Sequence, residues 1–210
     1  MIEKILSNLE WLGHDCFRLR AAGKVLYFDP FQLTGDPAPA DLILVSHEHF
    51  DHCSPDDIAK ISKQSTIIIT EPRAAAKLTG DVKTVQPGQT LTLDGFTVQA
   101  VRAYNTNKKF HPQANSWLGF IVTVEGVRIY HAGDTDYIPE MAGYAADIAL
   151  LPVSGTYVMT AEEAAQAALA INPKVAIPMH FGSIVGADAD ARHFAAKLAG
   201  KIKVNILPKK

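Results

Sequence analysis

Residues 41–55, DLILVSHEHFDHCSP, constrain this chain more than any other stretch of it. The run Leu42, Ile43, Leu44, Val45 is apolar without alternation, the pattern of a strand covered on both faces. It is followed directly by His47, His49, Asp51 and His52, and then by Ser54-Pro55, an N-cap and first-turn proline that open a helix over residues 55–62. Four groups able to bind a metal thus share one short turn at the C-terminal end of a strand, where open α/β sheets place their sites.

The spacing has a chemical reading. His47 and His49, two apart in extended chain, point the same way and can share one ion, whereas Asp51 and His52 lie past a bend and are free to serve a second. Three imidazoles and a carboxylate crowded onto a half-buried turn carry a desolvation cost that a cation or hydrogen-bond partners must offset.

The order of the remaining elements follows from hydrophobic periodicity and turn residues. Short strands are expected at 8–12, 16–20 and 24–28, then strands at 66–70 and 96–101, with a helix at 72–78 between them. Residues 104–116, YNTNKKFHPQANS, form a polar loop too long for a simple connection, and such loops usually carry function. Its Asn105, Asn107, Lys108 and Lys109 give it anion-binding potential. A hairpin over 117–124 and 127–131 runs into Gly133-Asp134-Thr135, a strand follows at 147–153, and Thr160 to Glu163 reads as the capping box of a helix ending at Ile171. A last buried strand at 175–178 leads to His180, and a helix at 187–198 carries His193, read as a surface residue.

The segment His47-Glu48-His49-Phe50-Asp51-His52 resembles the H-x-H-x-D-H signature of the metallo-β-lactamase superfamily, and the likeness continues along the chain. Trp11, Gly13, His14 and Phe17 are similar to the opening strand pair of the branch that contains ascorbate-6-phosphate lactonase and the N-acyl-phosphatidylethanolamine phospholipase D enzymes. The resemblance implies an α/β fold, the four-layer αββα sandwich, formed by residues 1–210 as a single domain. It implies that His47, His49 and His111 bind one ion, that Asp51, His52 and His180 bind the other, and that Asp134 bridges them. It also puts Asp29 beneath the histidine turn, where it would orient a ligand imidazole. His131 competes with His111 for the third place at the first ion; His111 is preferred, because a strand residue so close to Asp134 reads as support for the Asp loop. His14 is expected behind the ligands, and Tyr157 or His14 is a candidate to hydrogen-bond the substrate oxygen.

The function expected is therefore a metal-dependent hydrolase in which a pair of divalent ions, zinc by default with manganese or iron as alternatives, activates water through Asp51 and Asp134 against a small, anionic lactone or phosphodiester. The alternatives are an iron-containing oxygen or sulfur oxidoreductase on the same fold and a metal-binding regulator without turnover. A net charge of −2 offers no basic surface for nucleic acid, and no apolar run approaches a membrane span. The N-terminus lacks the pattern of a secretory leader, so a cytoplasmic location is expected. The Ala-rich helix at 161–171 is compatible with packing on the sheets or on a second copy in a homo-oligomer. The two cysteines read as buried thiols, with Cys53 next to the histidine turn.

Overall fold

The computed structural model describes residues 1–210. The first half contains α1 (Ile2–Ser7), β1 (Leu9–Gly13), β2 (Cys16–Ala21), β3 (Lys24–Phe28), β4 (Leu42–Leu44), α2 (Pro55–Ile61), β5 (Ile67–Thr70), α3 (Pro72–Ala75) and β6 (Asp81–Thr84). The second contains β7 (Thr90–Leu93), β8 (Phe96–Arg102), β9 (Leu118–Val124), β10 (Val127–His131), β11 (Ile148–Pro152), α4 (Ala161–Ile171), β12 (Val175–Met179), α5 (Asp188–Leu198) and β13 (Lys203–Val204).

Each half makes one sheet, six strands in the order β1 to β6 and seven in the order β13 to β7. Both sheets begin as antiparallel meanders and end parallel: β1, β2 and β3 alternate, then β3 through β6 run together, while β7 to β10 alternate and β10 through β13 run together. The parallel ends are where chain direction brings several strand C-termini to one edge.

Alternation along β4 and the residue after it divides the first sheet's two faces. Leu42 and Leu44 enter the core shared with the second sheet, alongside Phe120, Ile129 and Leu150, while Ile43 and Val45 enter a smaller core with Ile58 and Ile61 of α2 and Ala74 of α3. Strand alternation alone forces this division. Ala164, Ala168 and Ile171 of α4 cover the outer face of the second sheet. Two sheets face to face with helices outside are the α/β sandwich expected from sequence.

Local signals act as expected at most element ends. Ser54 Oγ accepts from Asp57 N, and at α4 Thr160 Oγ1 accepts from Glu163 N at 3.2 Å while Glu163 Oε2 accepts from Thr160 N at 2.8 Å. Three elements differ. The short amphipathic α1, with Ile5 and Leu6 buried, and the two-residue β13 were not expected. The helix expected at 72–78 stops at Ala75, because Lys77 N and Leu78 N bond back only three residues, to Ala74 O and Ala75 O, which tightens and ends the turn. No helix is long and apolar enough to cross a membrane.

Candidate metal centre

Seven of the chain's eight histidines gather at the C-terminal edge of the parallel strands. β4 delivers Ser46 and His47; the bend after it turns His49, Asp51 and His52 inward. β10 ends in His131 and leads to Asp134, β12 ends one residue before His180, and the loop after β8 brings in His111. His14 and Asp15 arrive from the turn between β1 and β2, which is tied to the end of β12 by His180 N donating to His14 O at 3.1 Å.

The first cluster is His47, His49 and His111, whose donor atoms lie within 4.8 Å of one another. His47 Nε2 and His49 Nδ1 are 3.0 Å apart. The other nitrogens are held from behind: His47 Nδ1 by Ser46 Oγ at 2.9 Å, and His111 Nδ1 by Asn105 Oδ1 and Tyr157 O, both at 3.2 Å. Burial pushes His47 and His49 below the ordinary imidazole range, so both are neutral and able to offer lone pairs at physiological pH. Trp117 closes this side, with its ring 4.7 Å from those of His47 and His49 and 5.4 Å from that of His111.

The second cluster is His14, Asp51, His52 and His180. His52 Nδ1 lies 2.8 Å from Asp29 Oδ2, and His180 Nδ1 lies 2.9 Å from Ser154 Oγ, leaving both Nε2 atoms inward. His14 Nε2 lies 3.0 Å from Asp51 Oδ2. Although burial opposes it, His14 and the charge on His52 draw the Asp51 carboxyl down to about 2. Burial also opposes protonation of His52 and His180, but Asp134 outweighs it, raising His52 and lifting His180 to about 9.

Asp134 stands between the clusters. Its Oδ1 is 3.3 Å from His52 Nε2 and 3.4 Å from His180 Nε2, and its Oδ2 is 3.1 Å from His111 Nε2. Burial alone would raise its carboxyl, yet His180 and His52 hold it well below the usual range. Gly133 makes this approach possible: at φ +59° a Cβ there would sit 2.6 Å from Leu118 O and 3.0 Å from Ser46 Cβ.

The donor set fits cations. His52 Nε2, His111 Nε2, His180 Nε2 and Asp134 Oδ1 are buried with no hydrogen-bond partner, although they sit within 3.1–3.4 Å contacts of one another. Atoms that crowd a common space without aligning on each other are disposed as ligands, and leaving them bare is costly. Backbone strain gathers here too: His14, Asp29 and His180 are non-glycine residues at φ +52°, +40° and +60°.

The structure separates the two histidines that competed for the first cluster. His111 joins it, whereas His131 lies beneath, stacked on Phe28 at 4.9 Å with Nε2 2.9 Å from Asp15 O. His14 backs Asp51 and is buried, Asp29 backs His52, and Tyr157 lines the cavity mouth. Of the loop cations, Lys108 is committed elsewhere, with Nζ 2.6 Å from Asp136 and 3.7 Å from Glu163. Cys53 turns away from the donors into the smaller core, where burial lifts its thiol to about 11. His193 is exposed and paired with Glu162.

Two residues of the site escaped the sequence reading. Trp117 reads only as the first residue of a strand. Asp15 reads as turn chemistry, yet it is fully buried and its carboxyl is pushed well up by that burial.

A cavity of about 240 Å³ opens onto the donors, lined by His49, Asp51, His111 and Asp134 on its floor and by Phe50, Phe110, Tyr157 and Ile184 around its mouth. Phe50, Phe110 and Ile184 are 68%, 49% and 40% exposed.

Comparison with known proteins agrees with this fold. Residues 8–180 match the family described as beta-lactamase superfamily domain. A UPF0173 metal-dependent hydrolase of Thermoplasma acidophilum is 36% identical, over 96% of both chains. The crystal structure of a Parabacteroides distasonis protein described as a metal-dependent hydrolase superposes with a TM-score of 0.86 at 34% identity, covering 95% of this chain and 91% of that one. The di-iron β-hydroxylase of Streptomyces venezuelae shares the fold alone, at 16% identity and a TM-score of 0.75 over 95% of this chain and 52% of that one.

Proposed function

The chain belongs to the beta-lactamase superfamily, as one of its metal-dependent hydrolases, and from that membership we propose that it opens small lactones or related carboxylic esters at a two-ion centre. His47, His49 and His111 would hold one ion, Asp51, His52 and His180 the other, with Asp134 available to both. The observation that carries this reading is the set of buried, unpartnered donors around Asp134. When bound, a pair of divalent ions supplies a solvent molecule acidic enough to attack near neutral pH and polarises the oxygen of the scissile bond.

The chain's own residues do the positioning. Asp51, ionised at neutral pH and facing the cavity, accepts a hydrogen bond from entering solvent, while His14 fixes its orientation from behind. Asp29, Ser154, Ser46 and Asn105 lock the ligand imidazoles in rotation. Of the two residues considered for contact with the substrate oxygen, Tyr157 lines the cavity and His14 is sealed behind Asp51, so the role falls to Tyr157.

The cavity favours the lactone class over the phosphodiester class. No lysine or arginine lines it, Lys108 is neutralised by two carboxylates, and its mouth is apolar. A substrate with an uncharged, apolar substituent fits these walls, and an anionic one would find its counter-charge only in the ions.

Hydrolysis of alkyl lactones, phenyl esters and aryl phosphodiesters by protein reloaded with zinc or manganese tests this. Lactone or ester turnover that disappears in His49→Ala is expected. Faster phosphodiester cleavage would overturn the substrate class, and turnover that survives chelation or His49→Ala would overturn the reaction.

A further inference from the structure

We infer that Asp15 is a further oxygen donor to the second cation position, making that position carboxylate-rich and selective for manganese or iron(II) over zinc; the inference rests on the two-ion reading above. Both carboxylate oxygens of Asp15 are buried and have no hydrogen-bond partner. Burying both oxygens of a carboxyl group with no hydrogen-bond partner carries a cost that a cation bound by them offsets.

The groups around Asp15 divide into engaged and free ones. Its donor atoms lie near those of Asp29 and His131, and its Oδ2 is 3.9 Å from His52 Nδ1, which already faces Asp29. Asp29 is saturated, accepting from Ser46 N and Ser46 Oγ at 2.7 Å each and lying 2.8 Å from His52 Nδ1. His131 has both ring nitrogens engaged, by Asp15 O and Gly133 N. Asp134 Oδ1 and His180 Nε2, 3.4 Å apart, are both buried and make no aligned hydrogen bond. The donor atoms of Asp15, Asp134 and His180 lie within 4.8 Å of one another. Ligands on opposite sides of a divalent transition-metal ion are about 4.0–4.4 Å apart, from metal–ligand distances of about 2.0–2.2 Å, so a small side-chain adjustment brings all three to one ion.

The two positions then differ in kind. The first offers three imidazole nitrogens and one shared carboxylate, the second two imidazoles with Asp15, Asp51 and Asp134. Nitrogen-rich sites suit zinc, and added carboxylate shifts preference toward manganese or iron(II).

Metal-free wild type, Asp15→Asn and Asp15→Ser are dialysed to equilibrium against graded manganese or zinc, with bound metal read by mass spectrometry and manganese also by electron paramagnetic resonance. Two ions are expected on the wild type. Both variants should keep the first ion unchanged and bind manganese at the second position about tenfold or more weakly, with a smaller loss for zinc. Unchanged second-site manganese affinity in both variants, or equal weakening at both sites, overturns the role of Asp15 while leaving the two-ion reading intact. Fewer than two ions on the wild type overturns that reading and this inference together. Should Asp15→Asn fail to fold, Asp15→Ser, smaller and neutral, carries the comparison.

Discussion

The two donor clusters of the candidate metal centre are assembled on opposite electrostatic plans. At the first, His47 and His49 are neutral because burial disfavours their charge, and the rings of His47 and His111 are steered by neutral groups, Ser46 and Asn105. At the second, Asp134 makes His52 and His180 more basic than usual despite burial, and Asp29 and Asp51 stand close by. The first end is ready for a cation as it stands. The second holds protons that a cation must displace, so the same ligand chemistry responds to pH differently across a few ångströms.

Removing the shared group should produce the largest effect. Asp134→Asn leaves three imidazole nitrogens facing a neutral amide, and a loss of about 10³-fold or more in turnover, with both metal affinities reduced, is expected by steady-state kinetics and metal titration. Retention of one full-affinity site would break the claim that Asp134 serves both ends. Gly133→Ala comes next, since its Cβ meets Leu118 O at 2.6 Å and its φ is positive. A destabilisation of about 2–4 kcal/mol in denaturant melts is expected, with both ends disturbed alike.

Backing residues separate the ends. Ser154→Ala should weaken metal binding at the second position by about 10–100-fold and spare the first, while Asn105→Ala should do the reverse. Equal effects at both positions would show the ends to be one undivided unit.

The pH response of the metal-free protein sharpens the contrast. His180 is raised from 6.5 to about 9, and His52 is raised as well, so their pairing with Asp134 stabilises the fold fully below pH 6.5 and is lost as pH rises through about 9. A fall in melting temperature between pH 6.5 and 9 in chelator is expected, worth about 3 kcal/mol at most for His180. Added metal should stabilise increasingly over the same window, because it needs those imidazoles deprotonated. A flat metal-free profile would contradict the pairing. The smallest effect expected is at the mouth, where Phe110→Ala should raise KM a few-fold for substrates with apolar substituents and leave kcat nearly unchanged.

Much of this was legible in the residues themselves. Local rules sufficed for the histidine turn, the capping box at Thr160 and the strands that lead to His180 and Asp134, because each depends on neighbours within a few positions. The choice between His111 and His131 needed packing, since only the stacking of His131 on Phe28 and its bond to Asp15 O take it out of the cluster. The commitment of Lys108 to Asp136 and Glu163 also joins distant segments, and without it the loop reads as an anion site. Asp15 is the clearest case. An aspartate in a tight turn is ordinary, and nothing local says that this turn is carried under the end of a strand more than 150 residues further along.

Anomalous scattering from crystals grown with zinc or manganese tests the centre most directly. Two peaks are expected, one within bonding distance of His47, His49 and His111 and one within bonding distance of Asp51, His52 and His180, with Asp134 reaching both. A single peak, or peaks away from Asp134, would contradict a two-ion centre.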